Sequence, residues 1–144
     1  MSEIKLALDI SNTSEFDDLE IELWLDDVKF FDQTISKGTH KVGHIFKEDE
    51  NSHVFKIVLK NKQEYHTKID ENNEIIKDAV IDISNICFDD INIDTIANDV
   101  AVYRHDYNGT GNLSKHRFYG HLGCNGEVII EFFNPFYLWL LENM

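Results

Sequence analysis

Clustered carboxylates and a few placed aromatics are the residues of this chain whose types and spacing could do chemistry. Asp89, Asp90 and Asp94 fall close together around what reads as a strand end. A hard cation such as calcium takes about six to eight oxygen ligands from carboxylates and backbone carbonyls, so these acids are a candidate cation cluster. The competing reading is solvated turn acids, because Asp-Asp and Asn-Asp pairs are turn formers. Trp24 shares a predicted strand face with Glu20 and Glu22. A flat ring among hydrogen-bonding groups suits sugar stacking; cross-strand packing, or cover by the C-terminal segment, is the structural alternative. Tyr103, Tyr107 and Tyr119 lie in or beside a glycine-rich stretch and could line a second recognition surface, as loop aromatics do in binding proteins.

Catalytic signals are weak by comparison. The chain lacks the G-x-S-x-G, H-E-x-x-H and P-loop patterns, and it lacks an EF-hand loop. A glycosidase needs two suitably spaced carboxylates, but with 27 acidic residues some pair always qualifies. His105, Asp106 and His116 read as scattered polar loop residues. Cys87 and Cys124 are too few for a disulfide framework and lack zinc-site spacing. His40 and His44 would share a face only on a helix, and their segment reads as a strand. A non-enzymatic protein is therefore expected.

Charge narrows the partners. Thirteen basic residues against 27 acidic ones give a net charge of −14, which opposes binding to a phosphate backbone. Nucleic acid is not an expected partner; charge alone would also fit an acidic inhibitor or DNA mimic. No apolar run approaches the ~20 residues of a membrane helix, so no membrane insertion is expected. The opening "MSEIKLALDI" does not read as a secretory signal.

The elements that must position these residues are strands. Ile4, Leu6, Leu8 and Ile10 alternate along one face, as do Leu19, Ile21, Leu23 and Leu25. Asp26-Asp27 is a hairpin-length break before "VKFFDQTI", although Asp-Asp supplies positive φ less readily than Asp-Gly. Phe55, Ile57 and Leu59 alternate, then Ala79, Ile81 and Ile83. "GEVIIEFF" is apolar on both faces and reads as a central strand, while "KQEYHTKIDENNE" reads as a long loop with a short strand. The 144 residues suit one domain, an all-β antiparallel sandwich or jelly roll, with helix nearly absent before the end. In "EFFNPFYLWLLENM", residues 135–144 form a short helical or extended tail. Phe136, Tyr137, Trp139, Leu140 and Leu141 are its expected anchors against the core, an oligomer contact being the alternative.

Two stretches resemble known families. "SHVFKIVLKNKQEYHTKIDENNEIIKDAVIDISNICFDDINI" resembles the second half of calcium-dependent xylan-binding modules, a β-sandwich class of carbohydrate-binding modules. The likeness rests on the alternating strand from His53 to Leu59, the polar loop holding Asn61, and the Asp-rich element from Asp82 to Ile93. The hairpin around Asp26-Asp27 is compatible, with Asp27 where that family usually has Gly. The resemblance implies a calcium ion contacting sugar hydroxyls, held near Asp89, Asp90 and Asp94, with Asn61 and Glu64 as members of the contributing loop. "FYGHLGCNGEVIIEFFNPFYLWLLENM" resembles the C-termini of small virion-associated proteins of marine contractile-tailed phages, through Gly120, Leu122, Gly123, Asn125, Gly126, Pro135, Tyr137, Trp139 and Leu140. This second resemblance implies a phage structural or accessory protein and leaves head decoration, tail and fibre tip open as its location; a decoration or tail-associated protein on the virion, in multiple copies or as a homo-oligomer, that binds other virion proteins is the expectation. Host glycans are the alternative ligand.

Overall fold

The structure is a computed structural model that describes residues 3–49, 51–106 and 110–144. The chain runs through β1 (Glu3–Asn12), β2 (Glu20–Leu25), β3 (Val28–Thr34), β4 (Gly38–Lys47) and β5 (Ser52–Lys60). A 3₁₀ turn at Glu64–His66 leads to β6 (Thr67–Ile69), β7 (Ile75–Asp78), β8 (Ile81–Phe88) and β9 (Ile91–Asn92). Then come α1 (Asp94–Val100), β10 (Val102–His105), β11 (Ser114–Arg117), β12 (His121–Leu122), β13 (Gly126–Phe133) and α2 (Phe136–Asn143). One layer has the order β12-β8-β1-β4, with β9 beside β8; the other has the order β11-β10-β13-β5-β2-β3. β6 and β7 form a separate hairpin. The expected all-β sandwich with a short C-terminal helix is the fold observed.

Alternation explains the layers. Side chains point to opposite faces of a strand with period two, so the apolar sets of β1, β2, β5 and β13 all turn inward. Ile4, Leu6, Leu8 and Ile10 meet Ile21, Leu23, Phe55, Ile57, Leu59, Val128 and Ile130 in one buried cluster. β13 lies between β10 and β5, so it is interior to its sheet.

Two irregularities keep the inward set inward. Along β8, Ile81 and Ile83 are buried, but the next buried residues are Ile86 and Phe88. The register against β1 slips between Ala7 and Asp9, and Asn85 takes φ 53°. One extra residue restores the phase that simple alternation would lose. A second bulge, between Leu23 and Trp24, sets Phe30 against His44 of β4, with ring centroids 4.2 Å apart and nearly parallel planes. That stack closes one side of the sandwich.

The tail docks by one face only. Phe136, Trp139 and Leu140 are buried, at the i, i+3, i+4 spacing that puts three residues on one side of a helix. Tyr137 and Leu141, expected as anchors, are instead exposed, because a helix turns them away from the surface that its first residue engages. α1 is the helix that alternation did not predict: seven residues with Ala97 as its one buried side chain give too short a pattern to detect. The polar stretch after β5, expected as a long loop with a short strand, holds the 3₁₀ turn and the short strand β6, which pairs with β7 as a hairpin.

Gly126 opens β13 beside His105 of β10. A methyl group there would lie 2.3 Å from the Arg104 carbonyl oxygen and 2.8 Å from the His105 Cβ, and backbone cannot yield as a flexible side-chain end can. Gly126→Ala is expected to cost ~1–3 kcal/mol in urea unfolding, in the range of other overpacking substitutions; a change below ~0.5 kcal/mol would refute the close approach.

Candidate functional site

Two of the acids singled out above, Asp89 and Asp94, have structural partners. Asp89 and Asp90, at φ 50° and 67°, are the two-residue turn between Phe88 and Ile91, the doubly left-handed geometry of a tight hairpin. The Asp89 carboxylate accepts the Lys5 backbone N–H at 2.8 Å, tying this turn to β1. Asp94 accepts the N–H groups of Asn85 and Ile86, each at 2.9 Å, and so holds the β8 bulge. Asn61 is an exposed residue at φ 68°, and Glu64 is an exposed residue opening the 3₁₀ turn. Among the described residues, no three His, Cys, Asp or Glu side chains gather closely enough to hold a metal ion.

The structure does bring two of the candidates into one place. Asp94 and Tyr119 line a cleft of about 280 Å³ between β8, α1 and the approach to β12, together with Asp82, Ser84, Asn98 and His121. Tyr119 is exposed, and the Asp82 carboxylate contacts His121 Nδ1 at 2.5 Å. Carboxylate, hydroxyl, amide and imidazole groups beside one exposed phenol ring supply the stacking surface and hydrogen-bonding groups of a small polar ligand site. Serine, histidine and aspartate are all present there, but Ser84 makes no hydrogen bond to His121. The contact that would prime a nucleophile is therefore not made in this state.

The other aromatics are spent differently. Trp24 is half-buried on the outer face of its sheet; its Nε1 donates to Glu22 at 3.3 Å, and Lys29 Nζ lies 5.7 Å from the ring. Glu22 is held low by hydrogen bonding to Lys60, against the opposing effect of its burial, with further help from Trp24 and Lys29. Trp24 thus sits in a cross-strand network of charge. Tyr103 is buried: its hydroxyl donates to the Cys124 carbonyl and accepts the Cys124 N–H at 3.0 Å, and burial pushes its ionisation up to about 12. It clamps the β12–β13 loop rather than lining a surface. Tyr107 lies outside the described residues.

The chain matches no family model, no curated protein and no solved structure.

One charged site escaped the sequence. His53, with its side chain only 11% exposed, places Nδ1 2.7 Å from Asp26 and Nε2 2.7 Å from Asp49. A carboxylate only accepts hydrogen bonds, so the ring must donate from both nitrogens and is an imidazolium. Asp26 comes from the β2–β3 turn and Asp49 from the segment before β5; Asn134 also donates to Asp49, at 3.4 Å. Phe46 and Phe132 supply the apolar walls. Asp49 is four residues before His53, whereas Asp26 is 27 residues away and joins them because its turn shares the same end of the sandwich.

Burial pulls the His53 pKa down, but the two aspartates more than offset that, and the net shift is upward. Stability from this clamp is therefore full below the ordinary histidine range, near ~6.5, and is lost as pH rises through the raised value. Ring NMR is expected to show His53 titrating above ~6.5, and His53→Gln is expected to flatten the fall in melting temperature across that window. A titration midpoint below the ordinary value would contradict the clamp.

Proposed function

We propose that the protein is a non-enzymatic structural or accessory component of a phage particle, in decoration or associated with the tail, that binds neighbouring virion subunits. The observation that carries the reading is the outward face of α2. Tyr137, Leu138 and Leu141 are between 44% and 67% exposed, on a helix whose other face is locked into the core, and Met144, directly after the helix, is 88% exposed. A rigidly held cluster of large apolar side chains is the kind of surface that marks a protein contact. The resemblance of the segment from Gly120 to Leu140 to virion-associated proteins supports the same reading. β4 adds a second means of contact: this ten-residue strand is at the edge of its sheet, with one side of its backbone free to pair with a partner strand. Repeated copies on a particle would strengthen weak individual contacts through avidity.

A second reading is supported by the cleft that joins Tyr119 to Asp94. There the protein is a calcium-dependent carbohydrate-binding module for host surface polysaccharide, with Asp90 as an acid that the fold leaves exposed near the same strand end. The two readings are compatible in one molecule.

Mass spectrometry of purified particles is expected to find the chain, and Leu141→Glu is expected to abolish its co-sedimentation with particles while leaving the melting temperature unchanged; absence from particles would overturn the first reading. Calorimetry with calcium, then with xylan-type and lipopolysaccharide-derived glycans, tests the second: heat that disappears in Tyr119→Ala supports it, and silence in every titration dismisses it.

A further inference from the structure

A second cleft, sharing no residue with the first, has a different chemistry. It measures about 340 Å³ and is lined by Thr13, Ser14, Glu15 and Phe16 of the β1–β2 loop, by Lys37 just before β4, and by Lys77 and Asp78 at the end of β7. That volume is at the lower end of small-molecule sites, about 300–1,000 Å³.

Its loop is preorganised. Asn12 is fully buried; its amide donates to the carbonyls of Phe16 at 2.6 Å and Ile35 at 2.8 Å, while its side-chain oxygen accepts from the Ser14 N–H and hydroxyl. Behind the loop, the Phe16 ring meets the buried His66 edge-on at 4.9 Å. His66 Nδ1 accepts the Gln63 N–H at 2.7 Å, so its Nε2 is the nitrogen left to donate to Asp18, also at 2.7 Å. Tyr65 donates to the same carboxylate. The cleft wall is thus braced from two sides.

The charges decide the ligand. Both lining carboxylates have lysine partners from outside the lining: Glu15 pairs with Lys68 at 2.9 Å, and Asp78 pairs with the buried Lys62 at 2.5 Å. Lys62 also donates to the Gly123 carbonyl, which fixes it in place. Lys37 and Lys77 remain. Among the described residues neither forms an ion pair within 4 Å, although Lys77 joins Lys68 in lowering the Glu15 pKa. Lys68 and Lys62 thus offset the two lining carboxylates, and Lys37 and Lys77 are left as the lining's uncompensated charges, in a protein whose net charge is −14. At physiological ionic strength, charges more than about 8 Å away are largely screened, so the local surplus governs what can dock there.

We infer that this cleft binds a small hydroxylated anion, a carboxylate or phosphate on a body of sugar size. Lys37 and Lys77 hold the charge, the exposed Thr13 hydroxyl bonds the polar body, and Phe16 forms the apolar wall. An ammonium suits either anion as a point charge.

The test is amide NMR of the full chain titrated with glucuronate, inorganic phosphate and neutral glucose at matched ionic strength. Glucuronate is expected to shift the amides of residues 13–16 and 77–78 saturably, and Lys37→Gln/Lys77→Gln is expected to weaken binding about tenfold or more, the loss of a charge-assisted contact. Lys115→Gln, on β11, is expected to leave it unchanged. Tighter binding of glucuronate than of phosphate identifies an acidic sugar as the ligand; equal binding identifies the anionic group alone. Both lysines are exposed, so unchanged melting of the double variant separates lost binding from lost folding. The inference is overturned if neither anion shifts these amides, if glucose binds as well as glucuronate, or if the double variant binds as the unsubstituted chain does.

Discussion

The two sheets are joined at one end by a stack of aromatic rings, and the rest of the molecule is organised around that junction. Phe88 from one layer and Phe132 from the other have ring centroids 4.9 Å apart. Phe136, the first residue of α2, stacks on Phe88 at 4.5 Å, and Trp139 stacks on Phe136 at 5.4 Å. Phe46 of β4 closes the group against Phe132 at 6.0 Å. Each large side chain buried this way stabilises by roughly 1.5–3 kcal/mol, and aromatic pairs in these geometries add to that. Because strands from both layers and the terminal helix contribute, the junction fixes the orientation of α2, and with it the apolar face that α2 turns outward. The His53 clamp sits on the same cluster, so charge and apolar packing reinforce one end of the fold.

Some of the acids hold the backbone at its irregular points. Asp26, Asp89 and Asp94 each accept main-chain N–H groups at a turn or bulge, where unsatisfied donors would otherwise be costly. These sites are the irregular points of the sandwich, and each places an acid where the chain departs from regular pairing. Clustered aspartates are in this fold first a signature of tight turns. The two clefts differ accordingly. The one at Tyr119 and Asp94 is rich in acceptors, whereas the one at Lys37 and Lys77 carries two lysines with no ion pair among the described residues.

The strands were legible because period-two alternation is a local property. Ile4 to Ile10, Leu19 to Leu25 and Phe55 to Leu59 each announce their buried face without reference to any other element. The interior position of β13 was legible from apolar residues on both of its faces. What stayed hidden depends on distance or on a break in the pattern. The bulge at Asn85 shows only in pairing with β1, α1 is too short to develop a period, and the side of α2 that docks follows from where Phe136 enters the ring stack. Of the candidate residues, Asp94 and Tyr119 have separate sequence signals and share one cleft. Tyr103, beside the glycine-rich stretch, holds an inward-facing strand position on β10. The pairing of His53 with Asp26, like the meeting of Lys37 and Lys77, does not show in the sequence because segments distant along the chain bring them together.

An interaction face on a terminal helix is useful only if the helix is held rigidly, and here Phe136 holds it. Urea unfolding of Phe136→Ala measures this directly. With Phe136 only 5% exposed and between two rings, the loss is expected to be ~3–5 kcal/mol in a single cooperative transition. A loss below ~0.5 kcal/mol, the scale of surface substitutions, would mean that the tail does not seal the sandwich and that its outward face has no fixed orientation.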